Sequence, residues 1–377
     1  MADKGLSGQR FPCHVQPQAD ELLSSWLTRL SLAHGLQPRT FCAILWPATP
    51  IWIGDLDWRA TPDMLAILAQ KTATSHQRAF ATTLRAYAGT LWEGLGSYSS
   101  RPWLLPGARQ SQRQGRPGLQ YCPQCLRADA TPYFRRCWRL GFVTVCTAHR
   151  RRLLDRCAAC GAPVTLHHLP KETETITQCA RCQHDLRAIE APGLEDSPLS
   201  QRVVAFQAWL LVALATGWCQ LAVPGLVRLA PYLRVLHQLA RVLATHPRAD
   251  YRRAQFCHRC DQPFFALGFP AAARRAIEAL AVTDRFRLML LLAWWVEDWP
   301  EHFIAICLET CLWPRELLAR MPAPPAWFED IAQNISWWEA FHRLVPLWQQ
   351  DTPDWHPLSY GGWGRSQRLL NSPKQSH

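Results

Sequence analysis

Four pairs of metal-ligand residues sit inside one short stretch, each with two residues between its members: Cys122/Cys125, Cys146/His149, Cys157/Cys160 and Cys179/Cys182. A pair at this spacing aims two side chains at one point, and two pairs complete the tetrahedral shell that Zn²⁺ prefers. Twenty residues separate Cys125 from Cys146 and 18 separate Cys160 from Cys179, room for a short β-hairpin that carries one pair back to the other. The spacing predicts a Cys₃His site followed at once by a Cys₄ site, with pairs joined in sequence order and two structural zinc ions per chain. A cross-braced arrangement, first pair with third and second with fourth, fits the spacing less well and stays open. The segment has few long apolar runs, so a metal supplies what a small core cannot. Four protein ligands leave no position for water, which argues against catalytic zinc. Cys137, His167, His168 and His184 lie nearby and read as ordinary residues rather than ligands.

Fifteen cysteines raise the question of compartment. Residues 1–18 hold no apolar core of signal-peptide length. The longest apolar runs, near 208–215 and 288–296, fall short of the ~20 residues that cross a bilayer. The expectation is a cytoplasmic chain with no membrane contact, whose paired cysteines are thiolates for metal rather than disulfides.

The formal charge is +12, and only four of the 41 basic residues are Lys. A basic chain of this size usually meets nucleic acid. Residues 101–160 carry twelve Arg against two Asp, with Trp103, Tyr133, Phe134 and Trp138 among them. Such mixing suits a nucleic-acid or ribonucleoprotein surface. Arg135, Arg136, Arg139, Arg150, Arg151 and Arg152 are the candidate contacts, and a solvated basic face is the bland alternative. On the surface reading, reversing Arg135, Arg136 and Arg139 to Glu spares folding and weakens assembly on nucleic acid.

The fold class is mainly α, in three parts: an N-terminal helix-turn-helix-like domain over 1–107, tandem zinc ribbons with short β-hairpins over 108–190, and a C-terminal helical domain with a flexible tail over 191–377. Residues 20–34 read as a helix capped by Asp20, with Leu22, Leu23, Trp26, Leu27 and Leu30 on its apolar face. Gly35 stops it, and Pro38 opens the next. Thr61-Pro62-Asp63 starts a further helix bearing Met64, Leu65 and Leu68. After a turn at 72–75, another runs to about residue 88, with Phe80, Leu84 and Tyr87 inward. That outline resembles a helix-turn-helix unit, which turns His76, Gln77, Arg78, Thr82 and Arg85 outward to DNA; a helical domain packing against protein fits as well. Residues 99–118 read as a linker. Beyond Pro192, helices are predicted at 201–216, 226–244 and as a pair within 271–299. Trp299-Pro300 breaks the pattern and Phe303, Ile306 and Cys307 resume it. Short helices follow at 313–320, 327–333 and 336–349, then a tail. Cys257/Cys260 is a lone pair; a third site completed by Cys307 and Cys311 is conceivable, but free thiols are the simpler reading. No phosphate-binding loop, nucleophile elbow or dinucleotide fingerprint is present, and no carboxylate set stands out as a two-metal site, so catalysis has no visible seat.

Three stretches carry a resemblance. Tyr121-Cys122-Pro123-Gln124-Cys125-Leu126, Pro132-Tyr133-Phe134-Arg135-Arg136, Trp138-Arg139-Leu140, Val145-Cys146-Thr147-Ala148-His149 and Leu153–Gly161 form the first. The 19–30 run and the Asp298-Trp299-Pro300-Glu301-His302-Phe303 run are the others. Together they resemble the TniQ/TnsD family, bacterial target-selection proteins of transposons that move with a AAA+ ATPase regulator. The resemblance implies a non-catalytic adaptor, often a homodimer. It would link a targeting complex, either CRISPR Cascade with its guide RNA or attachment-site DNA, to a TnsC/TniB-like ATPase that engages the transposase. The length is near that of the shorter, Cascade-associated members. Cys257/Cys260 does not map onto the family. Two other readings compete: a stand-alone zinc-ribbon or helix-turn-helix transcription regulator, and a zinc-dependent nuclease, which needs an open metal position.

Overall fold

The computed structural model describes residues 10–94, 101–107, 119–269 and 276–335. Its first helix, α1 (Leu23–Ala33), is buried on every side from Leu23 to Ser31. Leu23, Trp26, Leu27 and Leu30 pack with Phe11, Phe41, Leu65 and Leu68 into an N-terminal core. The other face carries Ser24, Ser25 and Thr28, which are buried yet hydrogen-bonded. Asp20 does not cap this helix, whose N-cap is Leu22 with no side-chain bond. Gly35, at φ +64, ends the turn that follows, and α2 (Pro38–Leu45) starts on its proline as predicted.

The short α3 (Leu56–Arg59) precedes α4 (Pro62–Thr72), which Thr61 caps by accepting from Met64 N–H at 3.3 Å. Ala73 turns the chain at φ +53, and Ser75 caps α5 (His76–Ala81). This last helix stops after six residues instead of running to about 88. Thr82 and Thr83 donate their hydroxyls back to the carbonyls of Ala79 and Phe80, a bond that competes with helix continuation, and a 3₁₀ turn follows at Leu84–Tyr87. The break shifts the phase of the stripe. Leu84 and Tyr87 are buried as expected, but Phe80 is 38% exposed and Thr82 only 2%, the reverse of their predicted sides.

The metal-ligand segment contributes α6 (Pro123–Ala128) and a hairpin of β1 (Val145–Cys146) and β2 (Arg151–Arg152), paired Val145↔Arg152 and Cys146↔Arg151. Residues 101–107, read as linker, are not solvent-borne. Trp103, Leu104 and Leu105 are buried, and Leu104 bridges Leu140. Their apolar run outweighs the polar composition around it. Residues 99–100 and 108–118, the rest of that expected linker, lie outside the described residues.

The C-terminal part begins with α7 (Pro198–Thr216), closed by Gly217 at φ +81. At 19 residues it is long and apolar enough to cross a membrane by length and composition, longer than the apolar runs suggested. Its Val203, Gln207 and Leu210 are buried, and it packs against β1 and α10 (Val282–Trp295). A hairpin of β3 (Trp218–Gln220) and β4 (Leu226–Arg228) replaces the expected start of the next helix, which is α8 (Leu229–Ala244). The polar α9 (Ala249–Arg259) lacked an apolar stripe strong enough to be read. Within 271–299 the described residues hold a 3₁₀ turn, Ile277–Ala279, and one helix rather than two. After the Trp299-Pro300 break come α11 (Glu301–Glu309), α12 (Pro314–Leu317) and α13 (Ala326–Gln333). The helix expected at 336–349 and the tail lie outside the described residues. One apolar cluster runs from Leu22 and Trp58 through Tyr121, Phe142 and Val145 to Leu292 and Phe328, crossing all three parts of the chain.

Candidate metal centres and the arginine network

Two cages close in sequence order. The ligand atoms of Cys122, Cys125, Cys146 and His149 lie within 4.8 Å of one another, as do those of Cys157, Cys160, Cys179 and Cys182. The cross-braced alternative is not the arrangement adopted. In the first cage Cys125 Sγ is 3.5 Å from Cys146 Sγ and 3.3 Å from His149 Nδ1, and Cys146 Sγ is 3.4 Å from the same nitrogen. In the second, Cys157–Cys182 and Cys160–Cys179 are each 3.7 Å apart. Tetrahedral Zn–S bonds of about 2.3 Å place sulfurs roughly 3.7 Å apart, so both donor sets fit a tetrahedral ion of that size. Short elements make each cage: α6 starts at Pro123 between the first two ligands, and the β1–β2 turn returns His149 to Cys146. Burial pushes the Cys157 thiol up to about 12, while the His184 backbone N–H draws Cys182 down to about 7. A bound cation is what lets all four ionise together.

Cys257, Cys260, Cys307 and Cys311 do not converge into such a set among the described residues. Glu297, Asp298 and His302 do converge, but both carboxylates are solvent-exposed.

The arginines expected to face nucleic acid have different fates. Arg139 is 1% exposed, so the surface reading fails for it. Its guanidinium lies between Asp55 and Asp57, at 2.9 Å from the latter, and also donates to Leu105 O. Burial pushes Asp57 up to about 6, Arg139 opposing and Asp55 adding to the rise, because two carboxylates share one cation. Ser24 donates its N–H and hydroxyl to the same Asp57. Arg135 forks onto Asp129 at 2.8 and 3.1 Å and lies over Tyr133 and Trp138. Arg136 binds Asp20 at 3.2 Å and lies over Tyr87. Asp20, expected to cap α1, instead accepts from Cys137 N–H at 3.1 Å. Arg151 donates to Ala191 O, and Arg152 lies over Phe286. Arg150 is exposed at φ +51. Arg78 is exposed and donates to Pro17 O; Arg85 is half-buried.

Other joints were not foreseen. Glu21 and Arg29 form a buried pair, and although Arg29 opposes it, burial raises Glu21. Ser25 donates to Glu21 and accepts from Phe134 N–H, tying α1 to the metal segment. On the opposite side, Gln207 of α7 accepts from Thr144 and Val145 N–H at 2.7 and 3.0 Å and donates back to Val145 O. Asp155, between the cages, accepts from Val282 N–H at 2.6 Å at the start of α10. Arg285 donates to Gly141 O and Gln120, and burial pushes it down to about 10. Trp103 donates its indole to Leu233 O and its backbone N–H to Glu278. A glutamine set in the apolar run of α7 was the one readable signal among these.

No curated protein matches the chain. Residues 12–153 match the family model described as TniQ, a stretch that spans α1 to α6, the first cage, and the buried Arg139 and Glu21 pairs. The chain therefore carries a TniQ domain over these residues, the domain of a family of transposition-associated DNA-binding adaptors.

Proposed function

We propose that this chain is a non-catalytic target-selection adaptor in DNA transposition, linking a targeting complex to the AAA+ ATPase regulator that recruits the transposase. The observation that carries it is the TniQ match over 12–153, coincident with a helical unit bonded side chain by side chain to a four-ligand cage. Saturated cages support a structural role for two zinc ions: Cys122, Cys125, Cys146 and His149 would hold one, and Cys157, Cys160, Cys179 and Cys182 the other. The ions would fix the angle between N-terminal and C-terminal helices, and chemistry would stay with the partners. The targeting complex is Cascade with its guide RNA, or attachment-site DNA, and a homodimer would present two ATPase-binding surfaces. The six-residue α5 offers little length for the major groove, which supports recruitment over stand-alone duplex reading. Reconstitution tests this. The chain, the ATPase regulator, the transposase and the targeting complex are combined on a target plasmid, and insertions are mapped. The reading requires site-directed insertion that disappears when the chain is omitted. Equal insertion without it refutes the proposal.

A further inference from the structure

The arginines at 135, 136 and 139 are engaged inside the molecule, and positive charge with fewer partners gathers elsewhere, in a groove beside α8. Two adjoining cavities of ≈ 800 Å³ and ≈ 370 Å³ form a groove there. Arg241 and Arg320 line both, Arg315 lines the larger and Arg234 the smaller. Among the described residues no carboxylate lies within 4.0 Å of Arg241, Arg315 or Arg320. Arg241 has only a 3.4 Å bond to Gln238, and Arg315 lies 5.9 Å from the Trp313 ring centre. Arg234 has Glu93 at 3.6 Å, a half-exposed partner.

The groove's own carboxylates are already engaged. Glu278 accepts from His237 and from Trp103 N–H, each at 2.8 Å. Glu316 accepts from Arg252 at 3.1 Å, His246 at 2.8 Å and Trp313 N–H at 2.9 Å. Burial opposes both charges, yet these partners hold both carboxyls below their ordinary range. Burial, and then the nearby Arg320, lower Arg241. Two like charges facing one half-buried cavity are what an anion would relieve.

We propose that this groove seats the sugar–phosphate backbone of a nucleic-acid strand, Arg241 and Arg320 sharing one phosphate and Arg315 and Arg234 continuing the track on either side. Arg234 and Arg241 are two turns apart on one face of α8, about 10 Å, a span that exceeds a single anion. The choice of nucleic acid over another polyanion rests on the adaptor reading; the anion site itself rests on the groove.

The test uses the full metal-loaded chain and fluorescence anisotropy from 50 to 200 mM NaCl. The probes are a labelled 30-nucleotide RNA, the same sequence as single-stranded DNA, and its duplex, with inorganic phosphate and polyglutamate as competitors. Arg241→Glu with Arg320→Glu should weaken binding of at least one probe 30-fold or more at 100 mM. It should also flatten the log–log salt slope by about 1 to 2. Arg320→Gln alone removes one exposed charge, so it decides the matter should the double variant lose its near-ultraviolet circular dichroism; the expected loss is three- to five-fold. Lys171→Glu, an exposed control, should change Kd less than two-fold. Unchanged affinity and slope in the variants overturn the proposal. Polyglutamate competing as well as unlabelled RNA also overturns it, in favour of an acidic protein partner, and competition by millimolar phosphate alone reduces the groove to a single-anion site and overturns the strand. Capture of the ATPase regulator by the wild-type chain reports separately on the adaptor reading.

Discussion

Replacing Arg139 with Ala strands two acids. Asp55 and Asp57 have side chains 6% and 5% exposed, and Arg139 is the guanidinium that bridges them. Removing one partner of a buried ion pair costs roughly 3–5 kcal/mol because a charge is left uncompensated. Leu105 O also loses a donor, worth about 1 kcal/mol. The expected loss is therefore roughly 4–6 kcal/mol near pH 7.5. At a urea m-value of about 2 kcal/mol/M this lowers the unfolding midpoint by roughly 2–3 M. The assay is urea unfolding of the metal-loaded chain, followed by tryptophan fluorescence. With the cation gone, the Asp57 carboxyl has its folded-state pKa raised further above its unfolded value, so the folded variant takes up protons. Its deficit should shrink as pH falls from 7.5 to 6. Arg139→Met combined with Asp55→Asn and Asp57→Asn removes the stranded charges and should recover more than half of the loss. A single variant within about 1 kcal/mol of wild type, or a triple variant no better than the single, refutes the reasoning. The same arithmetic reverses the sequence-level expectation that charge reversal at 135, 136 and 139 spares folding.

Three further outcomes are expected. Elemental analysis should find two zinc ions per chain; Cys122→Ser and Cys157→Ser should each lower that count and, like exhaustive chelation, abolish the near-ultraviolet circular dichroism of the middle segment. Gln207→Leu leaves two buried N–H groups and one carbonyl of residues 144–145 without their partner, and should cost about 2–4 kcal/mol by thermal or urea unfolding. Asp57 has its folded pKa raised to about 6, so its contribution favours folding at low pH and is lost as pH rises through 6; relative to Asp57→Asn, wild type should gain about 1 kcal/mol between pH 7.5 and 5 in matched unfolding curves.

The cages were legible because zinc geometry is enforced locally: two intervening residues make a pair, and about 20 more return the second pair. The helices of the N-terminal unit were legible through Pro62, Thr61 and Gly35, each acting within one turn. Arg136 and Arg139 were not, because their partners are remote. Arg136 meets Asp20 across 116 positions, and Arg139 meets Asp57 across 82. A dense run of Arg therefore looked like surface while its counter-charges sat in another part of the chain. The end of α5 was missed for a smaller reason, two threonine hydroxyls turning back on the last helical carbonyls.

Trp103 stands at a crossing. Its carbonyl accepts from Gly141 at 2.6 Å while its ring nitrogen reaches Leu233, and its indole meets Phe142 and His237 edge-on. Cutting the polypeptide after residue 153, where the family-model match stops, would strip Trp103 of Leu233, His237 and Glu278 and leave the backbone of Val145 without Gln207. The matched stretch is thus shorter than the physical unit of this molecule, and the longer one is what has to be expressed and handled whole.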